Sequence, residues 1–367
     1  MITRVPPLNN GEGTSCADFG LSTSMTYDIA WQALHLQAPE RVGHTEYCSH
    51  PLLVKHVTGI DPREDGSGWR SFYDAVGIDL IWNANDGPSW IGRKTNMGHA
   101  EFQEGGTDYD SNINCPFKNA EEVLSFDPVE EYRLPDIREQ SAFFERAYQD
   151  GQKEFPDQIF TGGYYKTIFS ACIRVFGWDM FLSSAAADYE RFDRVLEGFF
   201  RLSMANYEAW ALTSAPVFIC HDDIVWTSGA VFHPDWYRRY VFPRYKKLWR
   251  VLKDAGKIVL FCSDGNFTEF IDDIADAGAD GFIFEPLTDL DLIAKKYGKT
   301  KAIIGNADTR ILTFGTKEQI KTEVERCMAI GKPCPGFLMA VGNHIPHNVP
   351  IENALYYFDL VREMGKR

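Results

Sequence analysis

The sequence predicts an α/β fold, a closed barrel of eight parallel strands alternating with helices, on three observations. Short apolar runs recur and each ends on polar residues: VFICHDD (217–223), IVLFCSD (258–264), GFIFEP (281–286), AIIGNAD (302–308) and FLMAVGNH (337–344). A strand covered on both faces reads as such a continuous run rather than as an alternation. Stretches with helical period separate these runs, and three earlier runs bring the strand count to eight. Periodicity alone also admits an open doubly wound sheet, but the glycine fingerprint of a dinucleotide-binding sheet is missing after the first strands.

The elements follow in order. Residues 1–26 are rich in Gly, Ser, Thr, Asn and Pro and read as an N-terminal arm, leaving 27–367 as a single barrel domain. Helix is expected over 27–37, strand over 41–47, helix over 52–58 and a second strand over 78–83. The segment 85–127 is punctuated by Gly, Asn, Asp and Pro, and reads as a lid or hairpin over a site or as a decorative insertion. Helix returns at 120–124 and 134–148, QIFTGGYY (158–165) is the third strand, and a long amphipathic helix covers 189–212. Strands starting at 217, 258, 281, 301 and 337 then alternate with helices starting at 234, 266, 289, 317 and 351.

Composition narrows the function classes. The 367 residues are 44% hydrophobic and 14% aromatic, enough for one large core. A net charge of −15 without a basic stripe argues against nucleic acid or an anionic membrane as a partner. No apolar stretch approaches the ~20 residues that span a bilayer, and the basic-then-apolar order of a signal peptide is missing, so a cytoplasmic protein is expected. The eight cysteines form no CxxC pair and read as small core residues of a reduced chain. There is no GxSxG elbow, P-loop or HExxH, and no lysine at an obvious strand end.

In a barrel the strand ends converge on one rim, where chemistry sits. The His221-Asp222-Asp223 run places two carboxylates side by side. One should face the mouth as a base or substrate anchor while the other caps or pairs with a loop. Cys262 and Asp264 stand two apart on one strand, so both point the same way and could share a metal, with His344, Asn343, Glu285 or His221 as third ligand. The alternative is that Cys262 closes the core and Asp264 caps a helix. Glu285 ends a buried strand as a candidate acid. The prolines around His344 and His347 favour an extended loop over a two-histidine metal site. Candidate catalytic groups are thus Asp223, His221 and Glu285; candidate substrate contacts are Trp82, Tyr164, Tyr165, Asn343 and His344, with Trp90 and Trp226 as further aromatic walls.

Taken together, DDI (222–224), HPDWYRRYVFPRYKKL (233–248), CSDGN (262–266), GADGFIFEP (278–286), GNAD (305–308) and GNHIPHNVPIEN (342–353) resemble the uroporphyrinogen decarboxylase superfamily, which includes cobalamin-dependent methyltransferases. The resemblance runs from about residue 27 onward. It implies a UroD-like (β/α)8 TIM barrel with its site at the C-terminal mouth, an N-terminal arm and a long insertion after the second strand. Porphyrinogen decarboxylases carry an arginine-rich segment after the first strand and a catalytic Asp after the second; here the segments read RVGHTEYCSHP (41–51) and IWNAND (81–86). The methyltransferase branch binds zinc through His-x-Cys on the fifth strand and a Cys near the last, positions that match Cys262, Asp264 and Asn343. The resemblance therefore implies transfer of a methyl group between a small methylated compound, such as a methoxylated aromatic, and the cobalt of a corrinoid-binding partner protein, with zinc and a corrinoid (cobalamin) as cofactors. Its alternative is a cofactor-independent decarboxylase or lyase acting on a non-porphyrin acid.

Overall fold

The structure is a computed structural model that describes residues 26–96, 101–103, 106–108 and 113–367. The expected arm lies outside the described residues apart from Thr26. Eight parallel strands are present: β1 (Gly43–His44), β2 (Leu80–Ile81), β3 (Ile159–Phe160, continuing as Gly162–Tyr164), β4 (Val217–His221), β5 (Ile258–Ser263), β6 (Gly281–Phe284), β7 (Ala302–Ile304) and β8 (Phe337–Met339). Seven share one sheet in the order β1-β8-β7-β6-β5-β4-β3. The ring closes through β2, which pairs with the first half of β3 (Leu80↔Ile159) and bridges to the end of β1 (Thr45↔Leu80). The predicted barrel is thus closed rather than doubly wound.

Strand periodicity sorts the side chains into two cores. Val217 and Ile219 of β4, Leu260 and Cys262 of β5, Ile283 of β6, Ile304 of β7 and Leu338 of β8 fill the barrel interior. Phe218, Cys220, Phe261, Phe282, Phe284, Phe337 and Met339 face outward against the helices. Both faces are apolar, which is why these strands read as uninterrupted runs. The Thr26–Leu34 helix contributes Ala30, Ala33 and Leu34 to the interior, beside Leu80, Ile159 and Ala302 at the starts of their strands. It plugs the N-terminal end and leaves the C-terminal end as the mouth.

Four helices were not foreseen: Ser67–Val76, Pro128–Tyr132, Thr309–Phe314 and Ile168–Ala187. The last is apolar nearly all round, so it carries no amphipathic stripe for a sequence reading to detect. It also corrects the expectation about membrane-length segments: by length and composition it could cross a bilayer, but 67% of its 18-residue apolar window is buried inside the protein. Its N-cap Thr167 makes no side-chain cap; Asp222, from the end of β4, accepts the amides of Phe169 (3.0 Å) and Ser170 (2.5 Å) instead. Within the 85–127 segment the structure has a hairpin, Glu101–Gln103 against Gly106–Asp108, while 97–100, 104–105 and 109–112 lie outside the described residues. All seven described cysteines are free thiols, as expected.

Candidate active site

The polar ends of β4, β5, β6 and the segment after β8 meet at the mouth. On β4, His221 continues the inward set of Val217 and Ile219, opposite Cys262 of β5 in register. The chain then turns so that Asp222 and Asp223 diverge. Asp222 is fully buried and holds the Ile168–Ala187 helix and the Tyr245 hydroxyl (2.5 Å); burial pushes its carboxyl up to about 6 despite these donors. Asp223 faces the mouth. Its Oδ1 lies 3.2 Å from His221 Nε2 and accepts the Asp264 amide at 3.0 Å, while Oδ2 accepts the Tyr165 hydroxyl at 2.7 Å.

Burial alone would raise Asp223, but the adjacent His221 and the converging donors pull it down to about 2. His221 is the counterpart: burial works against its charged form, yet Cys262 and Asp223 hold it well above the ordinary imidazole range. Asp264 is driven well up by burial and by the neighbouring Asp223 and Glu285. Asn343, in a left-handed conformation (φ 70°), separates those two acids: its Nδ2 donates to Asp264 Oδ2 (3.1 Å) and to Glu285 Oε1 (3.2 Å). Glu285 Oε2 accepts the Gly265 amide at 2.8 Å. Gly265 has φ 82°, and a Cβ there would lie 2.7 Å from the Trp226 carbonyl, so only glycine fits this approach. His344 is buried with Nδ1 2.6 Å from Asn343 Oδ1, and burial lowers it to about 4.

His221, Asp223 and Asp264 bring ligand atoms within 4.8 Å of one another. One imidazole and two carboxylates suit a divalent cation with an open coordination position, so these residues fit the zinc that the resemblance implies, with harder ligands than thiolates. Cys262, expected as a ligand with Asp264, is outside this group. It sits one pleat deeper, 3% exposed, its thiol pushed by burial up to about 11 with His221 opposing the rise.

Of the aromatic candidates, Tyr165 and Trp82 line the mouth, with ring centroids 4.3 and 6.0 Å from that of His221. Tyr164 does not: it points into the helical layer, fully buried against Tyr207 and accepting from Asn206 at 3.3 Å. Adjacent strand residues face opposite ways, so β3 can offer only one of the pair. Trp90 stacks on Tyr132 and Phe199 away from the mouth, and Trp226 lies half exposed on the rim against Trp178. A strand-end lysine was overlooked as well. Lys166 follows β3 by two residues and is buried; the KT directly after GGYY was the signal.

Against known proteins, the family model described as uroporphyrinogen decarboxylase (URO-D) matches residues 108–364. The chain belongs to this family. Curated relatives called uroporphyrinogen decarboxylase include those of Carboxydothermus hydrogenoformans, 28% identical over 36% of the chain, and Thermus thermophilus, 30% identical over 37%. The match spans 37% and 39% of the length of those relatives. Among solved structures, a methyltransferase from Methanosarcina mazei superposes with a TM-score of 0.63 at 16% identity, covering 92% of this chain and 98% of that one, which establishes the shared fold.

Two features set this URO-D family member's mouth apart from a site for many carboxylates. Arg41, the one arginine of the 41–51 segment, is tied bidentately to buried Asp79 at 2.7 and 2.6 Å. Asp86, after β2, accepts the amides of Tyr165 (2.7 Å) and Lys166 (3.1 Å) with Oδ1. Glu46, at the end of β1, is likewise structural, accepting the Val341 amide and the Tyr357 hydroxyl.

Proposed function

We propose that the protein is a methyltransferase that moves a methyl group between a small methylated compound, of the methoxylated aromatic class, and the cobalt of a corrinoid-binding partner. The observation that carries this reading is the His221–Asp223–Asp264 donor set walled by Tyr165 and Trp82. His221, Asp223 and Asp264 would hold a divalent cation, which would supply Lewis acidity toward an ether oxygen. Asp223 is oriented by His221, Tyr165 and the Asp264 amide, so its free lone pairs are aimed before substrate arrives. Asn343 keeps Asp264 and Glu285 apart at a fixed spacing. The rings of Trp82 and Tyr165 offer flat apolar surface to an aromatic substrate. Tyr47, Ile91 and Trp226, on segments leaving β1, β2 and β4, expose 53%, 91% and 47% of their surface, which supports a rim against which a partner protein can seat.

The test is the cob(I)alamin absorbance of a mixture of purified protein, free cob(I)alamin and a panel of methoxylated aromatics. Loss of the cob(I) spectrum with at least one donor is expected; an unchanged spectrum across the panel, with carbon dioxide released from a non-porphyrin acid by metal-free protein, would point to the lyase branch instead. Elemental analysis is a second measure. Stoichiometric divalent metal is expected in the wild type and its loss in Asp264→Asn, with the rate falling roughly a hundredfold, about 3 kcal/mol of lost charge stabilisation.

A further inference from the structure

The two carboxylates of the His221–Asp223–Asp264 group stand just beyond the paired part of β4 and β5, whose register ends at Cys262 opposite His221. The Asp222 amide still donates to the Cys262 carbonyl at 2.9 Å, and the two chains meet again where the Asn266 amide donates to the Trp226 carbonyl at 3.0 Å. Asp223 and Asp264 lie between these points, so strand pairing does not by itself set their separation. Side chains bridge the gap. One bridge is Asp223 itself, whose Oδ1 accepts the Asp264 amide at 3.0 Å.

Ser263 supplies another. It ends β5, is fully buried, and follows the inward-facing Cys262, so its side chain leaves the barrel interior and is no ligand itself. Its hydroxyl donates to the Asp264 carbonyl at 2.9 Å and accepts the Ile224 amide at 3.2 Å. That carbonyl belongs to the peptide group following Asp264, and that amide to the peptide group following Asp223. One hydroxyl thus ties together the peptides that leave both acids, using its donor and one acceptor position. Ser170, in the first turn of the Ile168–Ala187 helix and also buried, holds the peptide that enters Asp223. Its Oγ accepts the Asp223 amide at 3.0 Å, while its own amide donates to Asp222. The Tyr237 hydroxyl donates to the Ile224 carbonyl at 2.7 Å, so the turn is held on its far side as well.

Ligand atoms must be held close to their binding geometry before an ion arrives, and the groups that orient ligands govern affinity together with the ligands themselves. We propose that Ser263 is a positioning residue for a divalent cation at the mouth, setting the separation of Asp223 and Asp264, with Ser170 fixing the near side of the same turn. That role rests on the divalent-cation reading of the mouth and is independent of the methyl donor. A hydroxyl that only satisfied two buried peptide groups would matter to stability and leave the cation site unchanged.

Cobalt(II) titration of the metal-free full chain, followed by its visible absorption, separates the two roles, because the bands report ligand geometry as well as occupancy. Saturable one-to-one uptake is expected in the wild type, weakened roughly tenfold or more in Ser263→Ala with altered bands, and weakened in the same direction in Ser170→Ala. Thr58→Val is the comparison. The Thr58 hydroxyl makes the same kind of pair, to the Val54 carbonyl at 2.8 Å and from the Ile60 amide at 3.0 Å, at the end of the Pro51–Thr58 helix. Its loss should lower the unfolding midpoint and leave cobalt affinity and bands as in the wild type. Ser263→Ala with a lowered midpoint but wild-type affinity and bands overturns the positioning role and leaves the cation site standing, as does an equal loss of affinity in Thr58→Val. A wild type that takes up no cobalt overturns both the role and the cation site. Circular dichroism reports whether Ser263→Ala folds; if it does not, Ser170→Ala decides, and wild-type affinity and bands there overturn the proposal.

Discussion

Asp223 receives hydrogen bonds from His221, Tyr165 and the Asp264 backbone, so its orientation is set before anything enters the mouth. Tyr165→Phe removes one donor to an ionised group, an interaction worth about 1.5–3 kcal/mol. Retained metal content with a rate reduced roughly tenfold or more is the expected outcome, read by elemental analysis and the cob(I)alamin assay together. A variant as fast as wild type would mean that the Tyr165 hydroxyl does not position Asp223 for the reaction. The neighbouring pairs Asp222/Asp223 and Tyr164/Tyr165 show how far single-residue reading reaches. Residue types and places were legible, and one carboxylate of the first pair was expected to cap while the other faced the mouth. Asp223 was named as the candidate catalytic carboxylate, but both tyrosines were named as substrate contacts, because which of them faces inward depends on strand phase, and one residue's slip inverts every assignment.

At the scale of elements, the Ile168–Ala187 helix depends on a distant strand end. Its first amides are capped by Asp222, which also takes the Tyr245 hydroxyl, so one buried carboxylate joins β4, this helix and the Phe242–Asp254 helix. Asp222→Asn should cost roughly 2–3 kcal/mol of stability. Urea unfolding would show it as a lowered midpoint at unchanged slope; an unchanged midpoint would mean that the cap is dispensable. Helices with a clear stripe and cap were readable, as at 189–212, where Asp188 caps, and at 317, where Thr316 and Gln319 form a capping box. The Ile168–Ala187 helix was not, since its apolar surface faces neighbours on nearly every side and its cap comes from more than 50 residues away.

At the scale of the whole molecule, closure is concentrated where β1 meets β2, through Thr45 and the Arg41–Asp79 pair. Asp79 also accepts the His44 amide at 2.8 Å and is fully buried. Removing it in Asp79→Ala strands a largely buried guanidinium and an amide, and should destabilise by about 3–5 kcal/mol. Thermal melting and hydrogen exchange at the β1 and β2 amides would measure this, and a variant melting like wild type would place closure elsewhere. The sequence by itself determined the number and order of the strands, the helices with apolar stripes and the set of polar residues at the strand ends, because each is a local pattern of burial along the chain. Only the tertiary structure decided that the ring closes, and that His221, Asp223 and Asp264 come together without Cys262. Those outcomes depend on inter-strand register and on segments as far apart as Gly43 and Leu338 meeting in space, and no window of sequence contains that information.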